Sequence, residues 1–427
     1  MKRVKLFILI FLLGFVQTTT PQNLDLGGYL KFFAHPNLNS PYGFHRLGTR
    51  LQTTFSYGTE NAFFFSSLDF NYEDTSVLGL YEESRSKGMT IYPVEAYIDL
   101  FWESFELRLG KQFVFWGKTD WLNPTDNINP WDYKNITSEI EDYRLPVTAV
   151  KGNYYFGNFN LEGVWILHFE PHKIPIEIPE QMGSLRVENL PTVLPENKLS
   201  NAEFALRLSS QVYNIDYSLS YFHGFDKNPT LKFSFVPPVA GKNPFLQYQT
   251  TYEKIDIFGF DFVTTKDEFA FSGEAAYFLT QDRDGTDIYI QNPHLYYVAG
   301  IDYAATEDLN INFQFSQNIL FKYNKDTEEQ QWLIRTKQPH KVEEKITSTI
   351  TGKIQYSLGS YTSLLVIGVM NLKDNDFFLL PILNYNFSDG VNISAGATWF
   401  GGPADSPFGR AKDDSKAFLE VKYSFSL

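Results

Sequence analysis

The feature that most constrains this chain is an alternation of apolar and polar side chains that recurs from about residue 24 to residue 427. In residues 309–316, for example, every odd position is apolar and every even position is polar. Successive side chains of a β-strand point to opposite faces, so each such run predicts a strand with one apolar and one polar face. Short and long connections alternate between the runs. This pattern is typical of an antiparallel barrel that crosses an outer membrane, because closure pairs every backbone N–H and C=O group.

We therefore predict an all-β fold: a closed antiparallel transmembrane β-barrel of about eighteen strands, within a range of about 16–18. The predicted strands are residues 24–34, 47–58, 61–73, 90–102, 103–116, 146–156, 158–169, 199–211, 213–224, 251–264, 267–280, 294–305, 308–321, 343–356, 360–371, 375–388, 391–401 and 416–427. An even count places both chain ends beside short periplasmic turns and places the long loops outside the cell.

The barrel is predicted as one domain over residues 24–427, with two long inserted loops at residues 117–145 and 170–198. The second loop contains five prolines, which favours a stiff, extended backbone that caps the barrel or folds into it.

The N-terminal residues predict a targeting segment rather than a part of the barrel. A basic start at residues 1–5 is followed by an apolar run at residues 6–16 and a polar exit. This order predicts a signal peptide at residues 1–20, cut between residues 17 and 22. The apolar run is shorter than the roughly 20 residues that a membrane-spanning helix needs. The alternative is a short buried helix.

The composition excludes several classes of protein. A formal net charge of −14 argues against nucleic acid as a partner. The absence of cysteine excludes disulfides, thiolate metal sites, cysteine nucleophiles and a lipoprotein anchor. Aromatic residues make up 17% of the chain, which suits an apolar belt in contact with outer-membrane lipid and bordered by aromatic girdles.

The last predicted strand places five apolar side chains on one face: Leu419, Val421, Tyr423, Phe425 and Leu427. It resembles the C-terminal signal by which outer-membrane barrels are recognised for assembly, with Leu427 in place of the usual final aromatic residue. The resemblance implies that the barrel assembly machinery is a partner. The alternative is an ordinary amphipathic last strand.

The most distinctive local stretch lies at residues 107–132. It contains Gly110-Lys111-Gln112, then Trp116-Gly117, then Asn123-Pro124-Thr125-Asp126. This succession resembles a pattern in little-characterised families of bacterial outer-membrane porins, and the resemblance implies a β-barrel porin without indicating a solute. Lys111 shares the strand face of Leu107 and Leu109, so either a β-bulge or a subunit contact is expected there.

Two interpretations of the 117–145 loop remain open. Asn-Pro steps favour tight turns, so the loop can be held in one shape. It either folds inward to form the pore constriction or packs on the rim, where its tryptophans anchor at the membrane interface. In the first case Lys118, Asp120, Asp126 and Asp132 are the candidate constriction residues, and Trp116, Trp121 and Trp131 are candidates to stack on sugar rings.

The phase of the strands predicts which charged side chains line the pore. These are Arg50, Asp69, Glu95, Asp99, Glu106, Arg108, Lys151, Glu162, Glu203, Arg207, Asp216, Glu274, Asp302, Lys353, Glu420 and Lys422. Acidic residues outnumber basic ones, which predicts a weak preference for cations. The alternative is that many of these charges neutralise one another across strands.

Nothing in the sequence points to catalysis, a metal site or a cofactor. The seven histidines are scattered, and none has the spacing of a helical metal site. We therefore expect no enzymatic activity and no cofactor.

The leading prediction is an outer-membrane porin for passive diffusion of small hydrophilic solutes or ions, with saccharides among the candidate solutes. Resemblance to general porins implies a homotrimer. The alternative is a lectin-like barrel that binds surface polysaccharide and is closed by its loops. A secreted soluble β-sandwich or solenoid is a third, less compatible interpretation of the same strands.

Overall fold

The computed structural model describes residues 24–39, 43–74, 87–134, 139, 143–174, 178, 180–182, 184–238, 243–336 and 344–426. The predicted signal peptide and its cut therefore lie outside the described residues, as does Leu427. Among the residues that the structure does describe, no helix is long and apolar enough to span a membrane.

Eighteen antiparallel strands form one closed sheet, as the alternation predicts. In chain order the strands of the protein are β1 (Leu24–Pro36), β2 (Phe44–Gly58), β3 (Ala62–Asp74), β4 (Lys87–Phe101), β5 (Phe105–Gln112), β6 (Val147–Phe156), β7 (Phe159–Ile166), β8 (Gln181–Met182), β9 (Leu185–Asn189), β10 (Glu203–Val212), β11 (Ile215–Phe225), β12 (Thr230–Val236), β13 (Phe245–Thr251), β14 (Lys254–Lys266), β15 (Phe269–Thr280), β16 (His294–Ala304), β17 (Leu309–Leu320), β18 (Ile346–Leu358), β19 (Thr362–Asn371), β20 (Asp376–Ser388), β21 (Val391–Gly401) and β22 (Lys416–Ser426). Strands β8, β9, β12 and β13 lie outside the barrel, and β22 pairs with β1 to close it.

Tight turns join alternate pairs of strands at one end of the barrel, beside β1's first residue and β22's last. Five of these turns carry a residue at positive φ, a backbone conformation that is typical of two- and three-residue hairpin turns: Gly157, Tyr213, Asp267, Gly359 and Gly390. The long connections lie at the opposite end. This arrangement confirms the predicted alternation of short turns and long loops.

The outer face of the barrel is an apolar belt with aromatic residues near both ends. At the end with the short turns, Trp102 and Phe105 pack with ring centroids 5.6 Å apart, and Phe269 and Tyr303 stack at 4.7 Å. At the other end, Phe377 packs edge-on against Trp399 at 6.0 Å. Such girdles lie at the two interfaces of a lipid bilayer, so this belt is the lipid-facing surface.

Lys111 faces outward on β5, opposite Ala96 of β4. The β-bulge lies on β4 rather than on β5, because the β3–β4 register shifts between Ser67 and Leu68. Lys111 Nζ donates a hydrogen bond to the carbonyl oxygen of Pro93 beside that shift, at 3.0 Å. The bulge therefore supplies an acceptor for a charged side chain on the outer wall.

Several long loops carry structure that the sequence did not predict. The Pro-rich loop supplies β8 and β9, and the loop after β11 supplies β12 and β13; together these form a four-stranded sheet in which β9 and β13 run parallel. Helix α1 (Lys325–Thr336) lies in the loop before β18, and a one-turn helix, α2 (Pro407–Arg410), lies in the loop before β22. The sequence pattern also predicted a strand that continues to residue 116. In the structure β5 ends at Gln112, because the chain leaves the wall of the barrel there.

The opposite environments of neighbouring residues on one strand give a direct stability test. Leu51 faces outward in the middle of β2, paired with Leu30 and Phe70, whereas Gln52 faces inward and donates to Asp69. We expect Leu51→Lys to lower the free energy of unfolding in lipid vesicles by about 2–4 kcal/mol, as for a lysine near the bilayer midplane. Gln52→Lys should cost far less, because its ammonium stays in the lumen beside Asp69. Equal losses in urea titrations of the two variants would contradict the assigned faces.

Candidate functional site

The chain that follows β5 turns into the barrel instead of crossing its rim. We call residues 113–145 the inner loop. Val114, Trp116 and Ile128 of this loop are buried in one apolar cluster. Their partners are inward-facing side chains of β6, β7, β10, β11, β14 and β15: Val147, Ala149, Val164, Ile166, Ala205, Phe222, Ile255, Ile257 and Ala276. This part of the inner wall is apolar because the inner loop covers it.

The Asn-Pro steps give the inner loop its local shape. In the first, the Asp126 N–H donates to the carbonyl of Asn123 at 3.1 Å, closing a turn that contains Pro124. In the second, Asn129 accepts from the Val114 N–H at 2.9 Å and donates to the Leu145 carbonyl at 2.7 Å. Asn129 thereby ties together the beginning and the end of the loop.

Glu274, on the inner face of β15, anchors the middle of the inner loop. Its Oε1 accepts hydrogen bonds from the N–H groups of Lys118 and Thr119 at 2.6 and 2.7 Å and from the Thr119 hydroxyl at 2.7 Å. Its Oε2 accepts from the Thr125 N–H at 3.2 Å and from the Thr125 hydroxyl at 2.7 Å. Hydrogen bonds to a carboxylate are among the strongest in proteins, so one side chain fixes both sides of the loop.

Gly117 is required for this approach. It has φ +93°, and a Cβ atom at this position would lie 2.6 Å from Glu274 Oε1. Any other residue would strain the backbone and displace the carboxylate. The Trp-Gly step of the motif therefore serves the contact between the inner loop and β15.

The inner loop continues to the far side of the barrel. Asp120 forms an ion pair with Lys353 on β18, which is nine strands from β5 in either direction around the barrel. Trp121 stacks on Phe378 of β20, with ring centroids 6.4 Å apart. Glu139 forms an ion pair with Lys422 of β22 at 2.6 Å. These contacts with the opposite wall mean that the loop crosses the bore.

Three other candidate residues of the loop, Trp116, Asp126 and Asp132, are buried. Asp126 forms an ion pair with Arg144. Asp132 pairs with Lys173 of the Pro-rich loop at 3.2 Å. Trp116 is 4% exposed and donates through Nε1 to Glu162 at 2.5 Å. Lys118 and Asp120, in contrast, are exposed within the barrel.

His172 joins the end of the inner loop to the Pro-rich loop. The Trp131 N–H donates to His172 Nδ1 at 2.8 Å. Burial, assisted by the nearby positive charge of Lys227, lowers the pKa of His172 to about 3. The imidazole therefore stays neutral at ordinary pH and keeps Nδ1 as an acceptor.

Many of the predicted pore-lining charges meet partners of opposite sign on the inner wall. The pairs are Arg50 with Asp69 at 2.7 Å, Arg108 with Asp99 at 2.6 Å, Lys151 with Glu162 at 3.9 Å, Arg207 with Asp261 at 3.1 Å, Lys227 with Glu203 at 3.3 Å, and Lys31 with Glu420 at 3.7 Å. These pairs contribute little net charge to the bore.

Besides Glu274, four predicted acidic residues have no ion-pair partner among the residues that the structure describes. Glu95 accepts from the Phe113 N–H, Glu106 from the Tyr155 hydroxyl and Asp302 from the Asn312 amide. Asp216 lines a cavity of about 350 Å³ together with Lys118, close to the turn between β6 and β7. The uncompensated charge on the inner wall at these positions is negative.

The structure adds residues that sequence reasoning did not single out. Thr119, Thr125 and Asn129 hold the inner loop, and Arg144 stacks between Phe115 and Trp131 with its guanidinium carbon 4.4 and 4.6 Å from the two ring centroids. The strand phase predicted that Glu274 faces the lumen, but it did not predict that Glu274 anchors the inner loop. Within the described residues, no group of three or more His, Cys, Asp or Glu side chains is arranged to hold a metal ion.

A closed antiparallel barrel of 18 strands with an apolar outer belt is an outer-membrane β-barrel protein, since this is the form in which β-sheets cross that membrane. The family described as "Protein of unknown function (DUF1302)" matches residues 51–320, more than half of the chain, and the protein belongs to this family. No curated protein matches the sequence.

Several solved structures are similar to this one in fold. OccK8 (OprE) of Pseudomonas aeruginosa superposes with a TM-score of 0.55 at 11% identity, covering 95% of this chain and 98% of that chain. OccAB1 of Acinetobacter baumannii gives 0.54 at 7% identity, covering 95% and 96%. OccAB3 of the same organism gives 0.53 at 10% identity, covering 95% and 99%. At these identities the likeness establishes a shared fold.

The anchoring role of Glu274 can be tested without any assay of transport. In Glu274→Gln the amide keeps one acceptor oxygen but turns an NH₂ group toward N–H and O–H donors, leaving them unpaired. We expect amide hydrogen exchange at residues 118, 119 and 125 to accelerate by roughly ten-fold or more. Glu106→Gln, which alters another inward-facing glutamate that binds Tyr155, is the matched control. Unchanged protection in Glu274→Gln would contradict the anchoring role.

Proposed function

We propose that the protein is a porin through which small hydrophilic solutes and ions diffuse passively across the outer membrane. An 18-stranded barrel is wide enough to enclose an aqueous channel. The observation that carries the proposal is the inner loop, which crosses the bore from β5 and is anchored by Glu274 of β15 and by the Asp120–Lys353 pair on β18. A structured loop inside a wide barrel narrows the aqueous channel without blocking it.

In this proposal Lys118 and the Asp120–Lys353 ion pair border the constriction, because Lys118 and Asp120 are both exposed within the bore. Asp126 and Asp132 instead hold the loop in shape through their ion pairs with Arg144 and Lys173. Trp121 is the tryptophan of the loop that lines an open cavity, whereas Trp116 is enclosed in the apolar cluster. The uncompensated acids on the wall give the pore a weak preference for cations.

The cation preference is tested by single-channel reversal potentials in asymmetric KCl. We expect Asp216→Asn with Asp302→Asn to lower the ratio of cation to anion permeability by roughly two-fold, because both carboxylates are uncompensated. The matched control, Asp216→Glu with Asp302→Glu, keeps the charges and should keep the ratio.

A purified protein that conducts ions ohmically supports the porin. A silent protein that binds surface glycans would instead support the alternative of a polysaccharide-binding barrel closed by its loops. An unchanged permeability ratio in the Asn variant would contradict the proposal that Asp216 and Asp302 cause the cation preference. It would not contradict the proposal that the protein is a channel.

The assembly proposals rest on the outer wall and on the last strand. We propose that β22, which closes the barrel against β1, presents the signal for the barrel assembly machinery. We also propose a homotrimer, in which Lys111 on the outer face of β5 lies near a neighbouring protomer. Native mass spectrometry in detergent tests the trimer.

A further inference from the structure

The inner face of the barrel changes chemistry between β18 and β19. On β17 and β18 the inward side chains in the middle of the wall are polar: Asn312, Gln314, Thr351 and Lys353. On β19 and β20 they are apolar: Leu365, Ile367, Val369, Phe378, Leu380 and Ile382. The interior of a water-filled barrel is ordinarily polar, so the apolar strip requires an explanation.

The inner loop covers only part of this strip. Trp121 stacks on Phe378, and a cavity of about 240 Å³ remains where the apolar strip meets the polar strands. Trp121, Leu365 and Ile367 form its apolar side. Its polar lining is formed by Asp120, Asn312, Thr351, Lys353 and Gln355. The cavity therefore has two chemically different sides.

The polar side contains a hydroxyl group without a partner. Thr351 is 2% exposed, and its hydroxyl has no hydrogen-bond partner among the described residues. Buried polar atoms are nearly always paired, so the unpaired Thr351 hydroxyl beside the cavity marks a place for a hydrogen-bonding occupant.

We propose that this cavity is a binding subsite for a neutral, ring-shaped solute with an apolar face and hydroxyl groups at its edge. The apolar face lies against Trp121 and Leu365, and the hydroxyl groups bond to Thr351 and to the Asp120–Lys353 pair. Sugars and hydroxylated aromatic compounds share this chemistry. The inference rests on the proposed function and names the class of solute for which the same pore is selective.

Two properties of the cavity restrict the solute further. Asp120 and Lys353 already compensate each other, so a fully charged solute finds no free counter-charge in that pair. The volume of about 240 Å³ is below the range of roughly 300–1,000 Å³ that is typical of sites for drug-sized ligands. A single ring fits this space better than an oligomer does.

The test measures how solutes block the ion current through the full-length protein in planar bilayers. The probes are methyl α-glucoside, resorcinol and glycerol, of which glycerol carries hydroxyl groups without a ring. We expect saturable block by at least one ring compound and none by glycerol at the same concentration. Block by the glucoside alone assigns the subsite to sugars, and block by resorcinol alone assigns it to aromatic solutes.

Variants then connect the block to the cavity. Trp121→Ala should weaken the apparent affinity by about five-fold or more, and the nearly isosteric Thr351→Val by roughly two- to five-fold, since each removes one contact. Thr54→Val removes an inward-facing hydroxyl on β2, away from the cavity, and should change nothing.

Several outcomes would contradict the proposed binding subsite without contradicting the proposed porin function. These are ion conductance without block by either ring compound, equal block by glycerol, and equal weakening by Thr54→Val. Absence of any conductance would instead remove the proposed function on which the subsite rests. Thr351→Val preserves the shape of the wall, so it keeps the test valid if Trp121→Ala does not fold.

Discussion

The architecture of the bore depends on one carboxylate. Glu274 accepts hydrogen bonds from three backbone N–H groups and two hydroxyls of the inner loop, which has left the wall of the barrel. The apolar cluster formed by Val114, Trp116 and Ile128 holds the same loop against the inner wall. A loop of this length, with its backbone groups unpaired, would remain in water outside the barrel. The carboxylate and the cluster together make the interior the more stable place for it.

The loop also explains why the inner wall is not uniformly polar. A water-filled barrel needs polar side chains inward, yet the strands from β6 to β15 present apolar residues there, and so do β19 and β20. The first set is buried beneath the inner loop. The second is covered by Trp121 of the inner loop and by Phe408 and Ala411 of the loop before β22. A cavity remains at its border with the polar strands, where the Thr351 hydroxyl is unpaired within the described part of the chain. The inner loop thus divides the bore into a side against which it packs and an open side that is lined by both apolar and polar residues.

Much of the barrel was predictable because its rules are local. A two-residue period fixes which side chains face lipid, and turn residues such as Gly157 and Gly390 fix where strands end. The assignment of Arg108, Asp99 and Lys353 to the inner face follows from the same period. The end of β5 was misplaced because residues 113–116 continue the apolar pattern, although Val114 and Trp116 pack on the inner wall rather than against lipid.

The contacts of the candidate site were not predictable, because they join distant parts of the chain. Glu274 lies 149 to 156 residues from the groups that it binds, and Lys353 lies 233 residues from Asp120. No local pattern gives such pairings. The bulge on β4 that supplies the acceptor for Lys111 and the small sheet of β8, β9, β12 and β13 likewise arise from contacts between separate segments. The sequence therefore indicated the inner loop and its turns. The residues that anchor the loop could be identified only from the structure.

The most direct test of the account is a single disulfide between the inner loop and the wall. The chain has no cysteine, and a Cβ atom at Gly259 of β14 would lie 3.5 Å from Cβ of Thr125, within the separation of about 3.5–4.5 Å that a disulfide needs. A Cβ atom at position 259 would collide with Ser220 Oγ, so both variants also carry Ser220→Ala. The account predicts that Thr125→Cys with Gly259→Cys then oxidises rapidly to an intramolecular disulfide in the folded barrel. Thr125→Cys with Gly300→Cys, where the nearest neighbours of the new Cβ atom are Ser272 and Gln314 of the wall, should remain reduced. Equal oxidation in the two variants, or none in the first, would contradict the placement of the inner loop inside the bore.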